Sequence, residues 1–296
     1  MNDIFFYNRE TKELQKELVM DERYIKWAYQ SDMSCFFSSI FFRFSLFSSL
    51  IGTYFDSRFS IKKIAKTVDD LNMDISDAER NLEDFLSFND FFTRKLKRDS
   101  RPYSAGKDVL VSPGDGRISI LPKIDKGLVI PLKGREYSLD ELFAEDASDF
   151  YAGSMAVIRL CPVDYHRYHY PLDAKVTRQK KIRGKYHSVN PLALKTGIKI
   201  FCENKRNLTF LDNPVFGKIV FMEIGAFGVS SIIDTNMAES VKKMDEKGYF
   251  KFGGSTIVLI FKKNKITFSK DLCENSDKGY ETLVKAGETI GKAKNE

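Results

Sequence analysis

The stretch Phe252-Gly253-Gly254-Ser255-Thr256 runs directly into Ile257-Val258-Leu259-Ile260-Phe261, and the chain is organised around it. The second half is a continuous large apolar run, which predicts a buried strand. The first half is built to bend. Two glycines before a serine loosen the backbone and leave the Gly254 carbonyl without a shielding side chain. A hydroxyl beside such a carbonyl can attack it, given a base and an oxyanion donor, and the amide would then become an ester. Read alone, Gly-Gly-Ser-Thr is a turn or bulge that enters a strand. A charged turn, Asp245 to Gly248, precedes it.

Outward from this point the β pattern continues. The runs 109–112, 117–121, 127–132, 155–161, 173–178, 197–202, 207–211, 217–224, 227–233, 256–261 and 265–268 predict short strands. Gly, Asp, Asn and Pro separate them, as in an antiparallel sandwich or barrel. Val284 to Gly291 reads as a turn between two more. Upstream the pattern is helical. Ile61, Ile64, Val68 and Leu71, then Ala78, Leu82, Phe85 and Leu86, recur at helical spacing. Residues 1 to about 30 are polar and helix-favouring, with Tyr24, Trp27 and Ala28 on one face. Composition turns to Pro, Ser and Gly near 98–108. The expected fold class is α+β, with N-terminal helices followed by a β-rich barrel or sandwich domain.

At 296 residues the chain can bury a full core. Charged residues are 30% and hydrophobic ones 43%, which excludes a disordered class. The net charge of +6 suits an anionic surface. No dense basic block with interleaved aromatics points to nucleic acid. The four cysteines, Cys35, Cys161, Cys202 and Cys273, form no CxxC pair, so a thiolate zinc site is not expected. Met1-Asn2-Asp3-Ile4 lacks the basic start and apolar core of a signal peptide.

Ser34 to Ile51 is rich in Phe and Ser. On a helical wheel Phe36, Ile40, Phe44, Phe47 and Ile51 share one side, and Ser34, Ser38, Ser45, Ser48 and Ser49 the other. Six serines and Arg43 fit a spanning helix poorly. A core helix and an interfacial helix in the headgroup region both fit. Asp90 to Arg98 is a short basic cluster, either a solvated face or a contact for lipid phosphates.

Three further constellations could carry chemistry. Ser112-Pro113-Gly114-Asp115-Gly116 is a tight turn that offers a carboxylate able to orient a histidine. Cys161-Pro162-Val163-Asp164-Tyr165-His166-Arg167-Tyr168-His169-Tyr170-Pro171 holds two of the three histidines. They suit a metal, with His187 and Asp115 completing the set, or one of them suits a general base for Ser255 held by Asp115. Gly225-Ala226-Phe227-Gly228-Val229 either lines a site with open backbone or is a closely packed strand.

Taken in order, Ser112 to Gly116, Pro162 to Pro171 and Gly254 to Thr256 resemble the phosphatidylserine decarboxylase family. Its members carry Ser-Pro-x-Asp-Gly, Pro-x-Asp-Tyr-His-x-x-His-x-Pro and Gly-Ser-Thr in that sequence. Phe88 to Arg94 with Arg101-Pro102, Lys133-Gly134-Arg135 with Tyr137-Ser138-Leu139, Ser188 to Pro191 and Gly225 to Val229 are similar too. The resemblance covers residues 85–296 firmly and the N-terminal part loosely. Gly253 departs from it, standing where many bacterial members have Leu.

The resemblance implies self-cleavage between Gly254 and Ser255. His169 would take the Ser255 proton, Asp115 would orient His169, and Ser255 would end as a covalent pyruvoyl group. That carbonyl would form a Schiff base with the amine of phosphatidylserine and stabilise the carbanion left by decarboxylation. His166 would supply acid or base to that step, and Gly225, Ala226 and Phe227 would contact substrate. Fragments 1–254 and 255–296 would stay associated, an arrangement compatible with a homo-oligomer. Residues 1–84 would be a helical, membrane-associating region and 85–296 the decarboxylase domain. Phe36, Ile40, Phe44 and Phe47 would seat the enzyme peripherally on an anionic cell membrane, on its cytoplasmic side, with no metal and no nucleic acid.

Two rivals stand against this. A zinc-dependent hydrolase on His166, His169 and Asp115 would leave the chain intact and lose activity to chelators. A non-enzymatic carrier-like barrel module would need a modifiable Lys at a hairpin tip, which the Ser112 to Gly116 turn lacks.

Overall fold

The computed structural model describes residues 4–18, 52–125, 128–130, 135–185, 200–228 and 232–294. Phe36, Ile40, Phe44, Phe47 and His187 lie outside them, and Ala226 and Phe227 are described in backbone only.

The strands are β1 (Phe5–Asn8), β2 (Glu13–Lys16), β3 (Val109–Val111), β4 (Gly116–Leu121), β5 (Leu128–Ile130), β6 (Arg135–Tyr137), β7 (Ser154–Leu160), β8 (Arg167–His169) and β9 (Ala174–Ile182). They continue with β10 (Arg206–Asn213), β11 (Gly217–Gly228), β12 (Ile232–Asp234), β13 (Ser240–Val241), β14 (Glu246–Phe250), β15 (Gly253–Phe261), β16 (Ile266–Phe268), β17 (Glu281–Val284) and β18 (Thr289–Ala293). The α-helices that lie wholly within the described residues are α1 (Lys62–Asp70), α2 (Phe88–Phe92), α3 (Leu139–Phe143), α4 (Ile200–Glu203) and α5 (Lys270–Asp277).

Strand β15 is central because its apolar run is buried on both faces. It sits between β11 and β7 in a ten-stranded sheet ordered β13-β9-β10-β11-β15-β7-β4-β17-β1-β2. Among the described residues only the β1/β17 pairing in this sheet is parallel. Ile257, Leu259 and Phe261 face one core, with Tyr168, Phe221 and Phe250. Val258 and Ile260 face the other, with Leu139, Phe143, Ile200 and Phe201. The first face is covered by two three-stranded sheets, β12-β14-β8 and β16-β18-β3. Helices α3 and α4 cover the second. A third cluster around Phe85, Phe88, Phe91 and Phe92 joins α1 and α2 and reaches Val163 and Phe252.

The α+β class and the sandwich are therefore present. The barrel alternative is corrected, because the described sheet ends at two separate edges, β13 and β2. The helical reading of residues 1 to 30 is corrected at its start. Phe5 to Lys16 is a hairpin whose turn uses Lys12 at φ 59°. Asn8 Oδ1 closes that turn by accepting from the N–H groups of Glu10 and Thr11. The hairpin extends the large sheet through β17. The strand expected at 197–202 is helical at Ile200–Glu203. Asp245 to Gly248 is a turn only at its beginning, since the left-handed Met244 (φ 65°) closes it and Glu246 already starts β14.

Candidate active site

Ser255 lies opposite Gly225 of β11 and Leu160 of β7. It is fully buried, and its Oγ has no hydrogen-bond partner. Two residues upstream, Gly253 pairs with Gly228, so β11 advances by one residue more than β15 between the two pairs. That is a bulge, and it falls at Ala226 and Phe227, across from the Gly254–Ser255 bond. A bulge leaves a residue out of the ladder and re-aims the backbone beside it. Gly253 has φ 145°, a region open to glycine. Below the bulge β11 is fixed, for the Gly225 N–H donates to the Lys205 carbonyl at 2.9 Å. The Gly225 carbonyl accepts from Asn204 Nδ2 at 2.7 Å. Upstream of the bend, the Phe252 N–H donates to Asn89 Oδ1 at 2.8 Å. The Phe252 ring sits 4.4, 5.0 and 5.2 Å from those of Phe55, Phe88 and Phe92.

The Ser112–Gly116 turn is drawn into the same region. Its Ser112 Oγ donates to the Gly114 carbonyl at 2.7 Å. A Cβ on Gly114 would meet Ile257 Cδ1 at a tight 3.3 Å and the Arg167 carbonyl at 3.8 Å, so the turn packs closely between β15 and β8. The His169 N–H donates to the Pro113 carbonyl at 2.7 Å, which ties the histidine segment to this turn. Asp115 is buried. Its Oδ1 accepts from Arg101 Nε at 3.0 Å and from the Ala286 N–H at 2.8 Å, and its Oδ2 from Arg101 Nη2 at 2.6 Å.

The two histidines differ. His169 is partly exposed. Its Nδ1 faces the Met244 carbonyl at 3.1 Å, so Nδ1 carries the proton and Nε2 the lone pair. Nε2 then accepts from the Tyr165 hydroxyl at 3.3 Å. Burial lowers the His169 pKa, while nearby carboxylates, Glu246 and then Asp115, oppose that. His166 is fully buried, with its ring centroid 3.8 Å from that of Phe92. Its Nδ1 donates to the Asp164 carbonyl at 2.9 Å, and Nε2 has no partner. Desolvation pushes its pKa down to about 3, so the ring is neutral.

The structure thus brings Asp115, His166, His169, Gly225, Gly254 and Ser255 onto neighbouring segments. It does not join Asp115, His169 and Ser255 by hydrogen bonds, since the first two are held by Arg101, Ala286, Tyr165 and Met244 and Ser255 Oγ is unpartnered. Among the described residues no group of three or more His, Cys, Asp or Glu side chains could hold a metal ion. No described helix is long and apolar enough to cross a membrane.

Sequence reading missed several members of the site. Arg101 is the partner of Asp115, and the Arg101-Pro102 pair was its only signal. Arg94, inside a cluster read as a basic surface, is only 4% exposed. Arg117 reaches the Asp164 carboxylate, and Arg159 donates to Glu281 and to Glu17 of the N-terminal hairpin at 2.5 and 2.7 Å. Arg159 and Arg117 hold Glu17 down at about 2 although burial alone would raise it.

Comparison with known proteins places the chain in a family. The family model described as phosphatidylserine decarboxylase matches residues 88–292. A Clostridium perfringens protein named phosphatidylserine decarboxylase proenzyme is 44% identical over 291 residues, 97% of this chain and 99% of that one. Proteins of the same name from Clostridium botulinum (44% over 294 residues, 98% and 100% coverage) and Clostridium kluyveri (43% over 291, 97% and 98%) are similarly related. This chain belongs to the phosphatidylserine decarboxylase family.

Proposed function

We propose that this chain decarboxylates phosphatidylserine to phosphatidylethanolamine, using a carbonyl made from its own Ser255 by cleavage of the Gly254–Ser255 bond. The observation that carries this is the Ser255 hydroxyl, buried without a partner and set beside a backbone bulge. A buried polar atom left unmatched costs stability, and a catalytic role explains why such an atom is kept.

In the first reaction Ser255 Oγ attacks the Gly254 carbonyl carbon. His169 Nε2, released from Tyr165, takes the hydroxyl proton, and Asp115 favours the resulting imidazolium through its charge. The proton passes to the departing Ser255 nitrogen as the amide C–N bond breaks and the ester forms. N–H groups at the Ala226–Phe227 bulge suit the developing oxyanion. Loss of the Ser255 Cα proton with breakage of the Cβ–Oγ bond frees the Gly254 carboxylate and leaves dehydroalanine. Hydrolysis releases ammonia and leaves a pyruvoyl group at the head of β15. Once formed, that carbonyl supplies an electron sink for the pair released with carbon dioxide.

In the second reaction the chain's residues govern water and protons. Phe92 covers His166, and Asp164 fixes its tautomer, so the bare Nε2 can take a proton and return it to the substrate carbon. The fragment 255–296 would supply most of β15, and all of β17 and β18, to three different places in the sheets, so cleavage need not release it. Residues 1–84, with Phe36, Ile40, Phe44 and Phe47, would seat the enzyme peripherally on the cytoplasmic side of the anionic membrane that holds its substrate.

Carbon dioxide release from carboxyl-labelled phosphatidylserine in mixed micelles tests this. The wild type should release it with phosphatidylethanolamine as co-product. No release by fully split wild-type enzyme would refute the substrate assignment.

A further inference from the structure

Arg94 stands two residues beyond α2 with its guanidinium enclosed. A buried cation is costly unless counter-charges or several acceptors meet it. Elsewhere in this protein they do. Arg101 meets Asp77 and Asp115, Arg117 meets Asp164, and Arg159 meets Glu17 and Glu281. Arg206 has no carboxylate but donates to the carbonyls of Glu141, Leu142, Cys202 and Asn204. Arg94 is provided for only in part: the charges of Asp115 and Asp164 act on it without an ion pair, and the Phe91 ring centroid lies 5.1 Å from its Cζ. Its Nη2 donates to the Val163 and Asp164 carbonyls at 3.2 and 3.5 Å, and Nη1 is buried with no partner. No carboxylate pairs with it among the described residues.

The location is specific. The Asp164 carbonyl that receives Arg94 Nη2 also receives Nδ1–H of His166. The guanidinium and the imidazole therefore hang from one oxygen, each with one buried polar atom unmatched, Nη1 and Nε2. Phe92, two residues before Arg94, packs against His166 with its ring tilted by 35° and contacts Phe252, close in sequence to the unmatched Ser255 Oγ.

We propose that Arg94 Nη1 is the docking point for the phosphodiester of the substrate headgroup, an inference that rests on the decarboxylase reading. The headgroup offers two oxyanions. Its carboxylate loses charge as carbon dioxide leaves, so a guanidinium on it would favour the ground state over the transition state. Its phosphodiester keeps its charge throughout. Only the serine methylene and one ester oxygen separate that phosphorus from the reacting carbon, so it must lie near His166. A guanidinium suits a phosphate oxygen in both charge and donor geometry.

The test titrates two headgroup fragments into the split enzyme and reads binding by NMR line broadening. Glycerophosphoethanolamine carries a phosphodiester and no carboxylate, and L-serine carries the reverse. In Arg94→Lys, glycerophosphoethanolamine affinity should fall about tenfold and serine affinity should hold. KM for phosphatidylserine should rise by a similar factor with a smaller change in kcat, and guanidinium ion should restore part of the loss in Arg94→Ala. Equal loss for both fragments, loss for serine alone, or no loss overturns the proposal. If neither variant folds, the wild type decides. Glycerophosphoethanolamine should then compete with phosphatidylserine more strongly than ethanolamine does, and equal competition overturns the proposal. Failure of the decarboxylase reading would show separately, as binding without carbon dioxide release by the wild type.

Discussion

Two buried polar regions lie near the ends of β4, β7 and β15, and they are built in opposite ways. Around Arg159 every charge has a counter-charge, and the one unmatched atom, Arg117 Nε, still lies 3.5 Å from the Glu17 carboxylate. Arg159 meets Glu17 and Glu281 and donates to the Cys161 sulfur, and Arg117 lies between Glu17 and Asp164. Around Ser255 the polar atoms are left open, with Ser255 Oγ, His166 Nε2 and Arg94 Nη1 all unmatched. Asp164 belongs to both, giving its carboxylate to Arg117 and its carbonyl to His166 and Arg94. Matched buried charges hold segments in place, here the N-terminal hairpin against the sheet. Unmatched ones are tolerated where a reaction or a ligand will use them.

Substitutions should separate the two regions. The largest effect belongs to Ser255→Ala, which should leave one unsplit chain with carbon dioxide release at background, while its denaturant midpoint stays near wild type. A split, active Ser255→Ala protein would end the comparison. His166→Ala comes next. It should still split, yet release carbon dioxide about 10²–10⁴-fold more slowly, as loss of a proton-transfer group does. If His166→Ala instead stays whole, His166 and not His169 is the base of the first reaction. Arg159→Met acts on the other region. It strands Glu17 and Glu281 in the interior and should cost about 3–5 kcal/mol in urea unfolding. A cost under about 1 kcal/mol would show that the ionic region does not hold the hairpin.

The smallest effect is that of pH on stability. The folded pKa of His166, about 3, lies below its unfolded value, so between the two the unfolded chain binds more protons. Stability should fall as pH drops from about 6.5, by about 2–3 kcal/mol at pH 4.5 from this group. Glu17, held at about 2, adds a further loss only below about pH 4.5. His166→Phe, which keeps the packing on Phe92 without a titrating ring, should flatten the upper part of that profile. An unchanged slope would remove His166 as its source.

What the chain disclosed in advance follows the same division. Ser255, Asp115, His166 and His169 stood out as candidates because each sits in a short motif whose glycines, prolines and neighbours constrain it locally. Strands 109–111, 116–121 and 154–160 were legible as apolar runs bounded by turns. Glu17 and Arg159 were not, since the burial of each depends on a partner 142 positions away. Arg94 closes a family-like stretch but stands in a basic run that reads as a surface, and nothing local distinguishes Lys247 from a surface cation. Lys247 is 1% exposed because Glu223 meets it and the Phe221 ring lies 5.2 Å away. The Phe5–Lys16 hairpin looked helical because its neighbours in the sheet come from the far end of the chain.

The most direct measurement is the mass of the purified wild-type protein under denaturing conditions, with N-terminal sequencing of each species. Self-cleavage predicts two species divided between Gly254 and Ser255, the smaller refusing Edman degradation because its first residue has no amine. A single chain of 34.0 kDa that nonetheless releases carbon dioxide from phosphatidylserine would contradict it.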